Sequence, residues 1–271
     1  QMCIRDRKIL AGGPIELQTP QINNTGGTLS VATMAVTGSS FSNAGGILNV
    51  SNSFSANVGQ LDNTGGKLTA GSLNIVTGAD LINTDGVLSS ATDANLTVGG
   101  KIENTRGSIS AAGAVTANVS EATTNSNGTL ASNQALTLNT GSLQNTRGSI
   151  QSAQAGVQLG VTNALTTGTG GSISAATDLG IQAGSLANGG SLRAGIDASI
   201  AVGGVLANDG SITANRNTTI TAGSVQGGTS SVLGAGIQND GKFGGTGGLR
   251  VVTAGALVVN GTNLAAGNAT L

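Results

Sequence analysis

The sequence predicts an all-β chain folded as a parallel β-helix, a solenoid of about 11 coils with 19–23 residues in each. Three observations lead there. One phrase returns eleven times: an apolar residue, Asn, two small residues, Gly, a variable residue, then Leu or Ile. Short apolar/polar alternations fill the intervals between copies. Gly, at 46 of 271 residues, is too frequent for helix interiors. A fixed period near twenty residues marks stacked repeats.

The phrase reads INNTGGTL (22–29), LDNTGGKL (61–68), LINTDGVL (81–88), KIENTRGSI (101–109) and LQNTRGSI (143–150), with looser copies between and after them. Its last Gly falls at 27, 46, 66, 86, 107, 128, 148, 171, 190, 210 and 241. Between corners, Leu73–Asn74–Ile75, Leu96–Thr97–Val98, Leu136–Thr137–Leu138 and Ile200–Ala201–Val202 alternate with period two, the signature of a half-buried strand. One coil cannot bury its inward residues alone. Stacked coils align them in columns and pair their backbones in parallel ladders about 4.8 Å apart.

The most regular polar feature is an Asn column: Asn24, Asn43, Asn63, Asn83, Asn104, Asn125, Asn145, Asn188, Asn208 and Asn239. Such a column is either a row of ligand-binding amides or a ladder in which each amide bonds its equivalents above and below. The turn chemistry favours the ladder, with the following Gly supplying positive φ. Arg106, Arg147, Lys67 and Lys101 could form a shallow basic patch, but solvated turn positions explain them as well. Residues 221–243 break the rhythm, either as a degenerate extra coil or as a loop leaving the solenoid. Residues 1–8, with four charges and no repeat counterpart, are read as foreign to the solenoid formed by 9–271. The closing LVVNGTNLAAGNATL stops partway through a repeat, as expected of a piece of a longer protein.

Composition excludes several functions. Charged residues are 8% of the chain, the net charge is −1, and eleven Lys and Arg are scattered, so no phosphate-binding face forms. No apolar run approaches the ~18 residues of a membrane span. There is no His, which removes the usual triads and the commonest metal ligand. Asp85, Asp209 and Asp240 each sit beside a corner Gly, where Asp serves a turn. The calcium-binding nine-residue Gly/Asp repeat and the phosphate-binding Gly loops are absent. Cys3 is the sole cysteine, so no intrachain disulfide forms. No catalytic, cofactor-binding or metal-ligating residue is assigned, and no ligand-binding residue outside the structural Asn column.

The phrase LDNTGGKLTAGSLNI and its relatives IENTRGSISA and LQNTRGSIQS resemble the haemagglutinin repeats of filamentous haemagglutinin and related large exoproteins, including contact-dependent growth-inhibition proteins. The resemblance spans about 9–271. It implies a right-handed β-helix and a stalk in a surface or secreted filament of a Gram-negative bacterium, and the missing catalytic chemistry adds the expectation that the segment is not an enzyme. It also implies export by an outer-membrane two-partner transporter through parts of the protein outside this sequence, and receptors on host or neighbouring cells as partners. No NPNGI-type or VENN motif is present, so the match is to the stalk and no functional residue of the family transfers. An autotransporter passenger shares the same architecture. A polysaccharide-acting β-helix enzyme would need clustered acids and exposed aromatics.

Overall fold

The computed structural model describes residues 2–3, 8–238, 241–244 and 246–271. These form strands and turns and no helix, wound as a right-handed parallel β-solenoid of about 13 turns. A turn carries up to three strands, and in several turns one strand runs on through a corner, as Thr28–Ser42 and Ile47–Asp62 do. Contacts divide the chain into two compact units, Gln1–Asn133 and Gln134–Leu271.

In the first unit, alternation sets which side chains turn inward. The strands Val87–Ser90, Ala94–Val98 and Ile102–Glu103 make one turn, and Ser108–Ala111, Val115–Val119 and Ala122–Thr124 make the next. Ile109 lies over Leu88, Val115 over Ala94 and Thr123 over Ile102, all in parallel register. The inward column Leu29–Leu48–Leu68–Leu88–Ile109–Leu130 is buried throughout, and a second runs Ile22–Phe41–Leu61–Leu81–Ile102. Phe41 and Phe54, from successive turns, meet in this core with ring centroids 5.9 Å apart, tilted by 38°. Burying a Leu or Ile contributes roughly 1.5–3 kcal/mol, and every turn buries several. That favours stacked turns over an isolated one.

The second unit repeats the plan. Its columns include Ile150–Ile173–Leu192–Ile212–Leu233 and Leu138–Leu159–Ile181–Ile200–Ile220–Val251. Here the sequence pattern needs correction. The corner after Gly210 is at Ser231, not Gly241. Val232 N donates to Gly210 O and Thr262 N to Ser231 O, each at 2.8 Å, as Ile47 and Lys67 do to Gly27 and Gly46 at regular corners. IQNDGKF is therefore no corner. Ile237 pairs antiparallel with Phe243, and Gln238 N donates to Lys242 O at 2.9 Å, so the flanks of this stretch pair with each other and not with a neighbouring corner.

Both alternatives for the irregular segment hold in part. Thr218–Gly227 and Val232–Ala235 are a regular turn that lost its corner Asn. The next connection, 236–248, has thirteen residues where 215–217 has three, so ten residues are inserted. Ile237 is buried beside Gly234, where a Cβ would lie 2.9 Å from its side chain and 3.1 Å from the Thr213 methyl. Ile237 is thus packed against the solenoid wall at Gly234 and Thr213.

Candidate functional site

In the first unit the amides of Asn24, Asn43, Asn63, Asn83, Asn104 and Asn125 are at most 1% exposed and stack one per turn. Each Nδ2 donates to the next Oδ1: 2.7 Å from Asn24 to Asn43, Asn43 to Asn63, and Asn63 to Asn83, 2.8 Å from Asn83 to Asn104, and 2.7 Å from Asn104 to Asn125. The same nitrogens also reach backbone oxygens. Asn83 Nδ2 lies 3.2 Å from Gly86 O and 3.1 Å from Ser108 O in the next turn. Asn24 Oδ1 has no donor among the described residues and ends the row. In the second unit Asn188 donates to Asn208 at 2.7 Å, and Asn145 Nδ2 to Ser172 O at 3.0 Å. The residue aligned with Asn188 in the turn below is Thr167, whose buried Oγ1 is unpartnered. Gly227 aligns with Asn208, so the column does not pass to Asn239, which lies outside the described residues.

The corner glycines serve a different purpose from the one the sequence suggests. Positive φ falls one residue earlier, at Gly26, Gly45, Gly65, Asp85, Arg106, Asn127, Arg147 and Gly170. The four non-glycines sit at φ 53–55°. The Gly that follows in the regular corners is a matter of space. At Gly128 a Cβ would lie 2.7 Å from Asn125 Oδ1, 3.0 Å from Asn104 Nδ2 and closer still to Asn104 O. Gly46, Gly66, Gly86 and Gly107 meet the equivalent three atoms, the Asn Oδ1 of their own turn and the Asn O and Nδ2 of the turn below.

Two of the four cations singled out by the sequence are paired locally. Arg106 binds Asp85 through two 2.7 Å hydrogen bonds, which lower the Asp85 carboxyl below its ordinary value and raise the guanidinium. Lys101 pairs with Glu103 at 3.2 Å and is raised chiefly by that bond. Arg147 belongs to the second unit, so the four cations form no shared patch within either one.

One concavity with charged and polar lining lies on the second unit. It is an open trough of about 450 Å³ over the second strands of successive turns, with Ser199, Thr219 and Arg250 on its floor and Asp197, Asn217 and Asn268 along one side. Asp197 accepts from Arg216 Nε and Nη2 at 2.8 and 2.5 Å, and from Asn217 N at 3.0 Å. These bonds, Arg216 first, hold its carboxyl down to about 2 against the opposing cost of burial.

The haemagglutinin repeat family model matches residues 4–53, 31–106, 110–183 and 179–271, nearly the whole chain. The chain belongs to the haemagglutinin repeat family. No curated protein and no solved structure gave a significant match. In haemagglutinin-repeat terms, the family's recurring residues here are the inward apolar positions, the amide column and the close-packed glycines. All three are turned to neighbouring turns and away from solvent. Among the described residues no group of three or more His, Cys, Asp or Glu is placed to hold a metal ion, and no helix is long and apolar enough to cross a membrane.

Sequence reasoning missed a second polar column in the haemagglutinin repeat, at the residue just before the second strand. Asp93 Oδ1 accepts Ala114 N at 2.8 Å in the first unit. In the second, Asp178 accepts Asp197 N at 3.1 Å, Asp197 accepts Asn217 N, and Asn217 accepts Gly248 N at 3.0 Å. The signal was present as Asp or Asn in TDA (92–94), TDL (177–179), IDA (196–198) and RNT (216–218). Interruption by Ala114, Ala135 and Gly156 hid it.

Proposed function

We propose that this chain is a stalk segment of a large filamentous exoprotein, secreted or held at the surface of a Gram-negative bacterium, that presents adhesive or contact-dependent activity. The observation that carries this reading is the fate of the repeat's polar residues. The side chain that recurs most regularly is spent on hydrogen bonds between turns, so the repeated sequence encodes stacking. Repeat-family membership and the β-solenoid support the stalk. Export by an outer-membrane two-partner transporter, and receptors on host or neighbouring cells, are the partners that this reading requires. The segment is taken as non-catalytic.

Excision tests it. Removing 67–107 joins Gly66 to Ser108, both of which precede or begin equivalent strands, and takes out two turns in register. In the exported parent protein, a spacer tolerates this loss: folding, surface appearance and adhesion persist. Loss of adhesion by a folded, surface-displayed deletion protein would place a receptor site within these turns and contradict the assignment.

A further inference from the structure

Among the described residues, one cation stands in a concavity without a partner. Arg250 is exposed on the floor of the trough, and no carboxylate or acceptor among the described residues engages it. Arg216 cannot serve in its place, because Asp197 takes both of its forked nitrogens. The trough therefore carries one uncompensated positive charge. Strand register sets what surrounds it. Arg250 lies directly over Thr219 and under Thr270, and Ser199 lies under Thr219. The alternate residues Ile200, Ile220 and Val251 turn into the core, which fixes these polar side chains outward in one column at about 4.8 Å per turn. Asn217 and Asn268 line the same side of the trough.

A guanidinium fork matches a carboxylate with two parallel hydrogen bonds. Hydroxyls and amides both donate and accept, as a chain of sugar hydroxyls requires. We infer that this trough binds a carboxylate-bearing saccharide, with Arg250 gripping the carboxylate and the hydroxyls of Thr219 and Thr270 bonding the adjoining sugar hydroxyls. The inference names a ligand class for the adhesive role and rests on that reading for its biological purpose. The contact itself depends only on the trough.

The test is titration of the full 271-residue chain with tri-galacturonate, followed by calorimetry or by amide chemical shifts at 199, 219, 250 and 270. Binding should saturate. Arg250→Ala should weaken it about tenfold or more, the loss expected for a charge-assisted bidentate contact. Arg250→Lys should restore only part, since an ammonium lacks the fork. Thr219→Val, which keeps the side-chain shape, should weaken binding less than Arg250→Ala. Neutral galactotriose should bind at least tenfold more weakly than tri-galacturonate. Absence of saturation, or equal affinity in the Arg250→Ala protein, would overturn the proposal. Equal competition by sodium sulfate would also overturn it, by reducing the site to a bare anion contact. Each of these outcomes leaves the stalk reading intact, because excision of 67–107 tests that reading on the other unit.

Discussion

Asn127 and Gly128 are neighbours in one corner, and Ala introduced at each separates two demands on a turn. Asn127 has φ 55°, whereas Gly128 does not lie in the left-handed region. An Ala at 127 keeps a Cβ in left-handed geometry, a change of at most about 1 kcal/mol because Asn tolerates that geometry better than Ala. An Ala at 128 places a Cβ 2.7 Å from Asn125 Oδ1 and 3.0 Å from Asn104 Nδ2, the two atoms of a 2.7 Å buried hydrogen bond. Overpacking of this kind costs about 1–3 kcal/mol. Parting the amide pair adds about 1–3 kcal/mol. The expected loss for Gly128→Ala is therefore about 4 kcal/mol, while Asn127→Gly stays within about 0.5 kcal/mol of the parent, since Gly relieves strain but loosens the unfolded chain. Denaturant unfolding followed by far-ultraviolet circular dichroism reads these as midpoint shifts at constant slope. Equal losses for Asn127→Ala and Gly128→Ala would refute the reasoning, as would a neutral Gly128→Ala.

Other predictions follow from the same geometry. Asn83→Ala leaves Asn104 Oδ1 without its 2.8 Å donor and should cost about 3 kcal/mol, again read from denaturant midpoints. Asn74→Ala, on the outer face of the same unit, should change stability by less than about 0.5 kcal/mol. Asp197 links stability to acid. Its folded carboxyl titrates near 2 against an ordinary 3.8, so its stabilisation is complete above about pH 4 and is lost as pH falls through 2. Asp197→Asn should therefore destabilise the chain at pH 7, by about 1 kcal/mol after allowance for solvent screening of a pair whose carboxylate side chain is 33% exposed, and the difference should shrink as pH falls and vanish only below pH 2. Acid-unfolding curves of the two proteins at matched ionic strength check this.

The architecture was legible because the period, the alternation and the turn chemistry all point to one answer. The apolar columns and the amide column of the first unit fall at the residues the pattern marks. Legibility failed where space, not local preference, selects the residue. The last corner Gly reads as a φ requirement from sequence alone. Only the approach of the Asn oxygen and backbone from the neighbouring atoms shows that it is a volume requirement, while Asp85, Arg106 and Asn127 occupy the strained position beside it. The late corner at Ser231 was missed because its hydrogen bonds are made by backbone groups that any residue supplies, while IQNDGKF satisfied the pattern although Ile237 and Phe243 pair antiparallel with each other. The trough was invisible for a related reason: Ser199, Thr219, Arg250 and Thr270 share no motif and become neighbours through a register that the inserted 236–248 connection shifts out of period.

The central claim is that the repeat's polar signature holds turns together and faces no ligand. Hydrogen exchange of the side-chain amide protons measures this directly. The Nδ2 protons of Asn43, Asn63, Asn83 and Asn104 are buried and bonded to the next turn, whereas Asn74 and Asn95 point outward on exposed strand positions. The account predicts that the first four exchange as slowly as the core backbone amides of Leu68, Leu88 and Ile109, and that the outward pair exchanges at the rate of free amides. Rapid exchange at Asn63 and Asn83 in a protein whose backbone remains protected would show an open, solvent-facing column and contradict the account.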